Sequence, residues 1–243
     1  MKQISKIPNN NTHTLDIKGI ESTIGVTFED KSLLQKAFIH RSYHNEHPDF
    51  MMESNEKLEF LGDSVLSLVT SRYLFNNYPQ FQEGDYTDIK AAIVNTQSLC
   101  KASKELGLGQ YLFLSKGEQE NKGRDNSSIL ADCFEAVLGA VFIEKGLEES
   151  SKFVERFLFK DTLDDIISKK LYLPSKNILQ EYYQDRFKKL PVYKVLAEKG
   201  PEHDKIYEVG VYHENIFLAK GSGKSKKHAE EQAAREALQK LGI

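Results

Sequence analysis

The sequence predicts an all-helical domain followed by a small α+β domain of α-β-β-β-α order. Three observations carry that reading. From Asp16 to about Ser168, apolar residues recur at helical spacing and no stretch alternates apolar with polar residues. After "LYLP" (171–174), three short segments do alternate, each bounded by turn residues. The charge balance changes at the same place: residues 171–243 carry 13 Lys+Arg against 10 Asp+Glu, whereas the rest carries 20 against 26. Residues 1–16 then read as a polar, Asn-rich tail, 17–170 as the helical domain, 171–174 as a linker and 175–243 as the second domain.

The elements follow in order. "DKSLLQKAFIHRS" places apolar residues at 33, 34, 37 and 38, which predicts a helix. "NEKLEFLGDSVLSLV" (55–69), continued by "TSRYLF", predicts a long one with Leu58, Leu61, Val65, Leu68 and Val69 on its apolar face. "YTDIKAAIVNTQSLCKASKELGL" predicts one further long helix that ends at Gly107. "SSILADCFEAVLGAVFIEKG" predicts a helix capped by Ser and closed by Gly146, and "LEESSKFVERFLFKDTLDDIISKK" follows it. In the second part, "SKNILQEYYQDRFKK" predicts a helix and "PVYKVLAEKG", "KIYEVGVYH" and "ENIFLAKGSG" predict strands. "SKKHAEEQAAREALQKLG" closes the chain as an Ala-rich helix.

Composition narrows the class. With 40% hydrophobic and 28% charged residues, the chain is globular rather than collagenous or disordered. Cys100 and Cys133 cannot build a disulfide framework, and neither belongs to a Cys-x-x-Cys pair, which points to a reducing compartment and a cytoplasmic location. The start, "MKQISKIPNNNTHTLDIKG", has no apolar core of a secretion signal, and the longest apolar run, "AVLGAVFI" (136–143), is too short for a bilayer. No membrane partner is expected.

Two pairs of acids raise a chemical question. Glu56, Glu59 and Asp63 fall at i, i+3 and i+7 of one helix, and no Lys or Arg follows a turn away on that stripe. Taken alone, the stripe can simply face water. Asp132 and Glu135 are different, because their helix is apolar on both sides of them and should be buried. A buried carboxylate costs several kcal/mol unless it is paired, protonated or bound to a metal. Packing the two helices together gathers Glu59, Asp63, Asp132 and Glu135 into a cluster that a divalent cation would neutralise. All-oxygen ligation suits Mg²⁺, with Mn²⁺ able to substitute, and a phosphate ligand suits such a site. A partly protonated acid pair served by a distant Lys or Arg is the competing reading.

The second domain offers a basic counterpart. Lys224, Lys226 and Lys227 stand at the start of the last helix, where acids would ordinarily complement the helix dipole. Phosphate binding explains three lysines there, and so does a solvated charge run. His203 in the turn "GPEHDK" (200–205) and the polar pair Gln180 and Glu181 are open in the same way.

Together these segments carry a resemblance. "NEKLEFLGDSVL" closely resembles the signature of the bacterial ribonuclease III family, with "FIHRSY" upstream and "SSILADCFEAVLGAVFIEKG" downstream in matching order. "LQEYYQ", "GPEHDK" and "GSGKSKKHAEEQAA" resemble that family's double-stranded-RNA-binding domain. The resemblance covers nearly all of residues 20–243. It implies a Mg²⁺-dependent endoribonuclease that cuts double-stranded RNA, leaving 5′-phosphate and 3′-hydroxyl ends with short 3′ overhangs, in ribosomal precursor and other transcript processing.

By motif position, the resemblance makes Glu59, Asp63, Asp132 and Glu135 the metal ligands, Asp63 and Glu135 being central to catalysis. Glu56 and Glu83 become auxiliary acids near the cleavage site. It implies a homodimer with Phe60 packed into the partner subunit. Gln180, Glu181 and His203 become minor-groove contacts, and Lys224, Lys226 and Lys227 a phosphate clamp, which fits the shape-based recognition of A-form RNA. Ile39, Lys90 and Asn177 depart from the family pattern, and none of them is among the four metal ligands. Two rivals remain. A non-catalytic RNA-binding factor would lack one of the four acids, and all four are present. An all-helical nucleotide pyrophosphohydrolase would leave the basic module without a purpose.

Overall fold

The computed structural model describes residues 15–160, 162–201 and 204–243. It divides into two compact units, the first running to residue 165 and the second from 166, with residues 87–89 grouped with the second. The predicted tail lies outside the described residues except for its last two positions, of which Asp16 caps the first helix by accepting from the Gly19 N–H at 3.0 Å.

The first unit is helical. Its elements are α1 (Ile17–Ile24), α2 (Lys31–Lys36), α3 (Ser42–Glu46), α4 (Glu56–Asn77), α5 (Glu83–Ile93), α6 (Thr96–Glu105), α7 (Lys116–Glu120), α8 (Ser127–Val154) and α9 (Leu163–Ser168), with a π-turn at Glu155–Phe159. The helix predicted through residue 38 stops at Lys36. The chain beyond it pairs with a distant segment instead: Phe113 N–H donates to the Phe38 carbonyl at 2.8 Å and His40 N–H to the Phe113 carbonyl at 3.1 Å. Ile39 is buried in that bridge.

The single helix predicted before Gly107 is two. Val94 leaves helical geometry at φ −100°, ψ 83°, and the Asn95 side chain then accepts from Gln97 N–H and Ser98 N–H to start α6. Asn95 is a strong cap placed inside a continuous apolar pattern, so the cap overrides the periodicity. The cap of α8 is Asn126 rather than a serine, accepting from Ser128 N–H at 2.9 Å. Gly146, at φ 77° and ψ −171°, breaks α8 so that its second half doubles back and sets the Phe153 ring 5.3 Å from that of Phe134.

The centre of this unit is the packing of α4 on α8. The buried face of α4 is Leu58, Gly62, Val65, Leu66, Val69, Thr70 and Leu74, whereas the predicted face member Leu68 is exposed. Each fully buried aliphatic side chain stabilises the unit by about 1.5–3 kcal/mol. The face is rotated toward Gly62 because that is where α8 crosses. A Cβ on Gly62 would lie 1.8 Å from the Glu135 carbonyl oxygen, and one on Gly139 would lie 2.2 Å from that of Leu58. The two backbones touch.

The second unit contains α10 (Ser175–Phe187), β1 (Val192–Lys199), β2 (Ile206–His213), β3 (Ile216–Gly223) and α11 (Lys226–Leu241). The strands form one antiparallel sheet in the order β1-β2-β3, with Val209 facing both Val195 and Gly221. Leu179 and Tyr183 of α10, Val211 and Ala219 of the sheet, and Ala233, Ala234, Ala237 and Leu238 of α11 make its core. Alanines and Gly221 let α11 lie against β3: a Cβ on Gly221 would come within 2.2 Å of the Ala233 nitrogen. The observed order matches the predicted α-β-β-β-α arrangement.

Candidate active site

The backbone contact at Gly62 and Gly139 decides which side chains meet. It presents Glu59 of α4 to Asp132 and Glu135 of α8, so that one carboxylate oxygen from each lies within 4.8 Å of the other two. All three are half-buried. None of them makes an ion pair or a hydrogen bond with another side chain among the described residues. Asp63, one turn along α4 from Glu59, is exposed and stands outside that trio, though its charge acts on Glu135.

The electrostatics follow from burying like charges. Burial, then the charges of Asp63, Asp132 and Glu59, push the Glu135 carboxyl up to about 7. Burial raises Glu59 above the ordinary range, and Asp132 and Glu56 add to it. Burial raises Asp132 as well, with His40 and Arg41 pulling the other way. Hard oxygen donors that repel one another and make no direct ion pair among the described residues fit a divalent cation.

Around this trio the other predicted acids take different positions. Glu56 is exposed at the first turn of α4, accepts from Ser54 Oγ at 2.8 Å and stands 3.9 Å from the Arg41 guanidinium. Glu83 is exposed at the start of α5 and is not part of the trio. Phe60 projects from α4 with 78% of its surface exposed. Lys90 ties α5 to α4 through the Ser67 and Ser71 hydroxyls.

The residues that sequence reasoning gave no role are His40 and Arg41. They precede α3; Arg41 brings positive charge acting on both Glu59 and Asp132, and His40, when protonated, acts on Asp132. His40 is half-buried, which lowers its pKa. Its Nδ1 accepts from the Ser42 backbone N–H at 3.3 Å and lies 2.8 Å from Ser42 Oγ, which in turn accepts from the Ser115 N–H at 3.1 Å. The motif "FIHRSY" held the signal, but only the fold shows that it faces the acids.

In the second unit, Lys224, Lys226 and Lys227 are exposed around the start of α11, whose N-cap Ser225 accepts from the His228 N–H. Lys224 stands 3.6 Å from Asp204, and Lys226 3.4 Å from Glu198, with its ammonium 5.5 Å from the Tyr207 ring centre. Lys227 has no such pair among the described residues. Gln180 is half-buried on α10 beside the exposed Glu181, and Asn177 is exposed in the first turn. His203 lies outside the described residues.

A helical unit holding clustered acids, joined to an α-β-β-β-α unit with lysines at a helix start, defines a nuclease with a double-stranded-RNA-binding module. The family comparisons agree with it. The Ribonuclease-III-like family matches residues 30–162 and the double-stranded RNA binding motif matches residues 175–241. Ribonuclease 3 of Dehalococcoides mccartyi strain 195 is 41% identical over 227 residues, covering 93% of this chain and 95% of that protein. Ribonuclease 3 of Clostridium perfringens is 43% identical over 223 residues, covering 92% and 93%. The solved nuclease domain of ribonuclease III from Campylobacter jejuni superposes with a TM-score of 0.56 at 37% identity, covering 60% of this chain and 98% of that one. The chain belongs to the ribonuclease III family. Family and module together support endoribonuclease activity on double-stranded RNA. No helix among the described residues is long and apolar enough to cross a membrane.

Proposed function

We propose that the chain hydrolyses phosphodiester bonds of double-stranded RNA with Mg²⁺, leaving 5′-phosphate and 3′-hydroxyl ends with short 3′ overhangs. The observation that carries this reading is the trio Glu59, Asp132 and Glu135, half-buried and without a direct ion pair among the described residues. These three hold the metal, and the exposed Asp63 completes the set from the adjoining turn of α4. When bound, the ion lowers the pKa of a coordinated water and offsets charge on the scissile phosphate. Glu135, whose carboxyl is pushed up to about 7, depends on that ion for full ionisation at neutral pH. Glu56 and Glu83 act as auxiliaries near the cut. Mn²⁺ substitutes for Mg²⁺.

The catalytic domain spans 17–170, the linker 171–174 and the binding domain 175–243. Gln180, Glu181 and His203 contact the minor groove, while Lys224, Lys226 and Lys227 clamp phosphates across the major groove. The chain works as a cytoplasmic homodimer with Phe60 seated in the partner subunit, processing ribosomal RNA precursors and other structured transcripts. The exposure of Phe60 supports the dimer. The Campylobacter jejuni structure is itself described for a region involved in dimer formation.

The test uses Glu135→Gln on duplex RNA with Mg²⁺ or EDTA. Cleavage by the unaltered chain should require the ion and disappear in the variant, while gel-shift binding of the duplex survives. Efficient cutting by Glu135→Gln in Mg²⁺ would remove the site.

A further inference from the structure

Beside the carboxylates lies a cavity of about 520 Å³ that the metal reading does not use. His40, Arg41, Asn45, Glu118, Ser128 and Asp132 line it, so one of its walls is a proposed metal ligand. Its volume suits a single small polar group such as a ribose with its phosphate. Its chemistry is mixed. Arg41 brings a cation, Asn45 both a donor and an acceptor, Ser128 a hydroxyl and Glu118 an acceptor. Two carboxylates on the lining weigh against a bare anion. They suit a group that both donates and accepts, and a hydroxyl does so.

The lining is held ready. The Ser42 N–H and hydroxyl both meet His40 Nδ1, at 3.3 and 2.8 Å, and hold the ring in place. The Ser42 hydroxyl, anchored by the Ser115 N–H, fixes the ring plane. Asn45 and Ser128 are exposed, and neither side chain makes a hydrogen bond with a described residue. The Glu118 side chain is half-buried and makes no hydrogen bond or ion pair among those residues either. These are polar groups facing a cavity with their bonding capacity unspent.

We propose that this cavity seats the ribose of a nucleotide next to the scissile phosphate, with Asn45, Ser128 and Glu118 bonding its 2′-hydroxyl. Arg41 takes the adjoining phosphate, and His40 is a positioning residue on the cavity wall. The 2′-hydroxyl is the group that separates RNA from DNA at a given site, so the nuclease unit selects RNA independently of the binding module. This rests on the endonuclease reading above.

The experiment measures kcat/KM on a duplex in which each nucleotide around the cut is made 2′-deoxy in turn. For the full chain, one position beside the scissile bond should lose about tenfold, the effect of one or two hydrogen bonds. In the Asn45→Ala plus Ser128→Ala variant, the all-ribose duplex should fall by several-fold and the penalty at that position should shrink to what Glu118 alone supplies. Both side chains are exposed and unbonded, so the fold is kept, and circular dichroism checks it. Cleavage by the full chain with no deoxy-sensitive position near the cut overturns the subsite, as does a penalty unchanged in the variant. Either result leaves the nuclease reading standing, whereas absence of any cleavage by the full chain removes both.

Discussion

The two units carry charge in opposite ways. In the first, Glu59, Asp132 and Glu135 are half-buried, mutually repelling and without a direct ion pair among the described residues, a condition that only the fold can impose. In the second, Lys224 and Lys226 are exposed and already paired with Asp204 and Glu198. The difference teaches where each function is stored. The acids depend on the spacing of α4 and α8, whereas the lysines depend on little beyond being at the start of α11. Damage to packing should therefore silence the first unit's chemistry, and damage to single charges should only weaken the second unit's grip.

The largest expected effect breaks the spacing. Gly62→Ala puts a Cβ 1.8 Å from the Glu135 carbonyl oxygen, so the helices must part. Overpacking of this kind costs about 1–3 kcal/mol. Thermal melts should show the loss, and cleavage should fall further than stability explains because the trio opens. A Gly62→Ala chain as stable and active as the original would mean that the crossing does not set the site.

The pH dependence is next. Glu135 titrates near 7 when folded, against an ordinary 4.5. Its folded pKa is raised, so the folded state holds the proton more tightly. The contribution is full below about 4.5 and is lost as pH rises through 7. Metal-free chain should thus lose stability between pH 5 and pH 8, by roughly 1–2 kcal/mol once screening at a half-buried group is allowed for. Glu135→Gln should remove this slope in denaturant titrations, and adding Mg²⁺ should flatten it. A slope unchanged by the substitution would place the strain elsewhere.

The smallest effect concerns the lysines. Lys226→Ala plus Lys227→Ala should weaken duplex binding and reduce its salt slope by about one to two units. Tested singly, Lys227→Ala, whose side chain has no ion pair among the described residues, should cost more binding than Lys224→Ala. Binding isotherms at several salt concentrations decide the ranking, and equal losses for all three would show that the internal ion pairs do not compete with RNA.

Much of the architecture was legible because amphipathic periods report directly on burial. Asp132 and Glu135 stood out for the same reason, as charges in a helix apolar all round. What escaped the sequence depends on contacts distant along the chain. Gly62 and Gly139 look like weak helix residues until α4 and α8 are seen to touch there. His40 and Arg41 sit on a turn whose orientation is fixed by Phe113 and Ser115. The break at Asn95 was hidden by apolar periodicity running through it, and the acids opposite Lys224 and Lys226 come from other strands and turns.

The left-handed turn at Gly146 has a wider consequence. By reversing the chain, it lets residues about twenty positions apart wall off the helix that carries Asp132 and Glu135, as Phe153 does against Phe134. Short loops close at low entropic cost, so one side of this half of the chemistry is sheltered by its own neighbourhood, while α4 covers the other from a distance along the chain. The scaffold of the cutting centre is to that extent self-contained, a hairpin of two helices pivoting on one residue without a side chain.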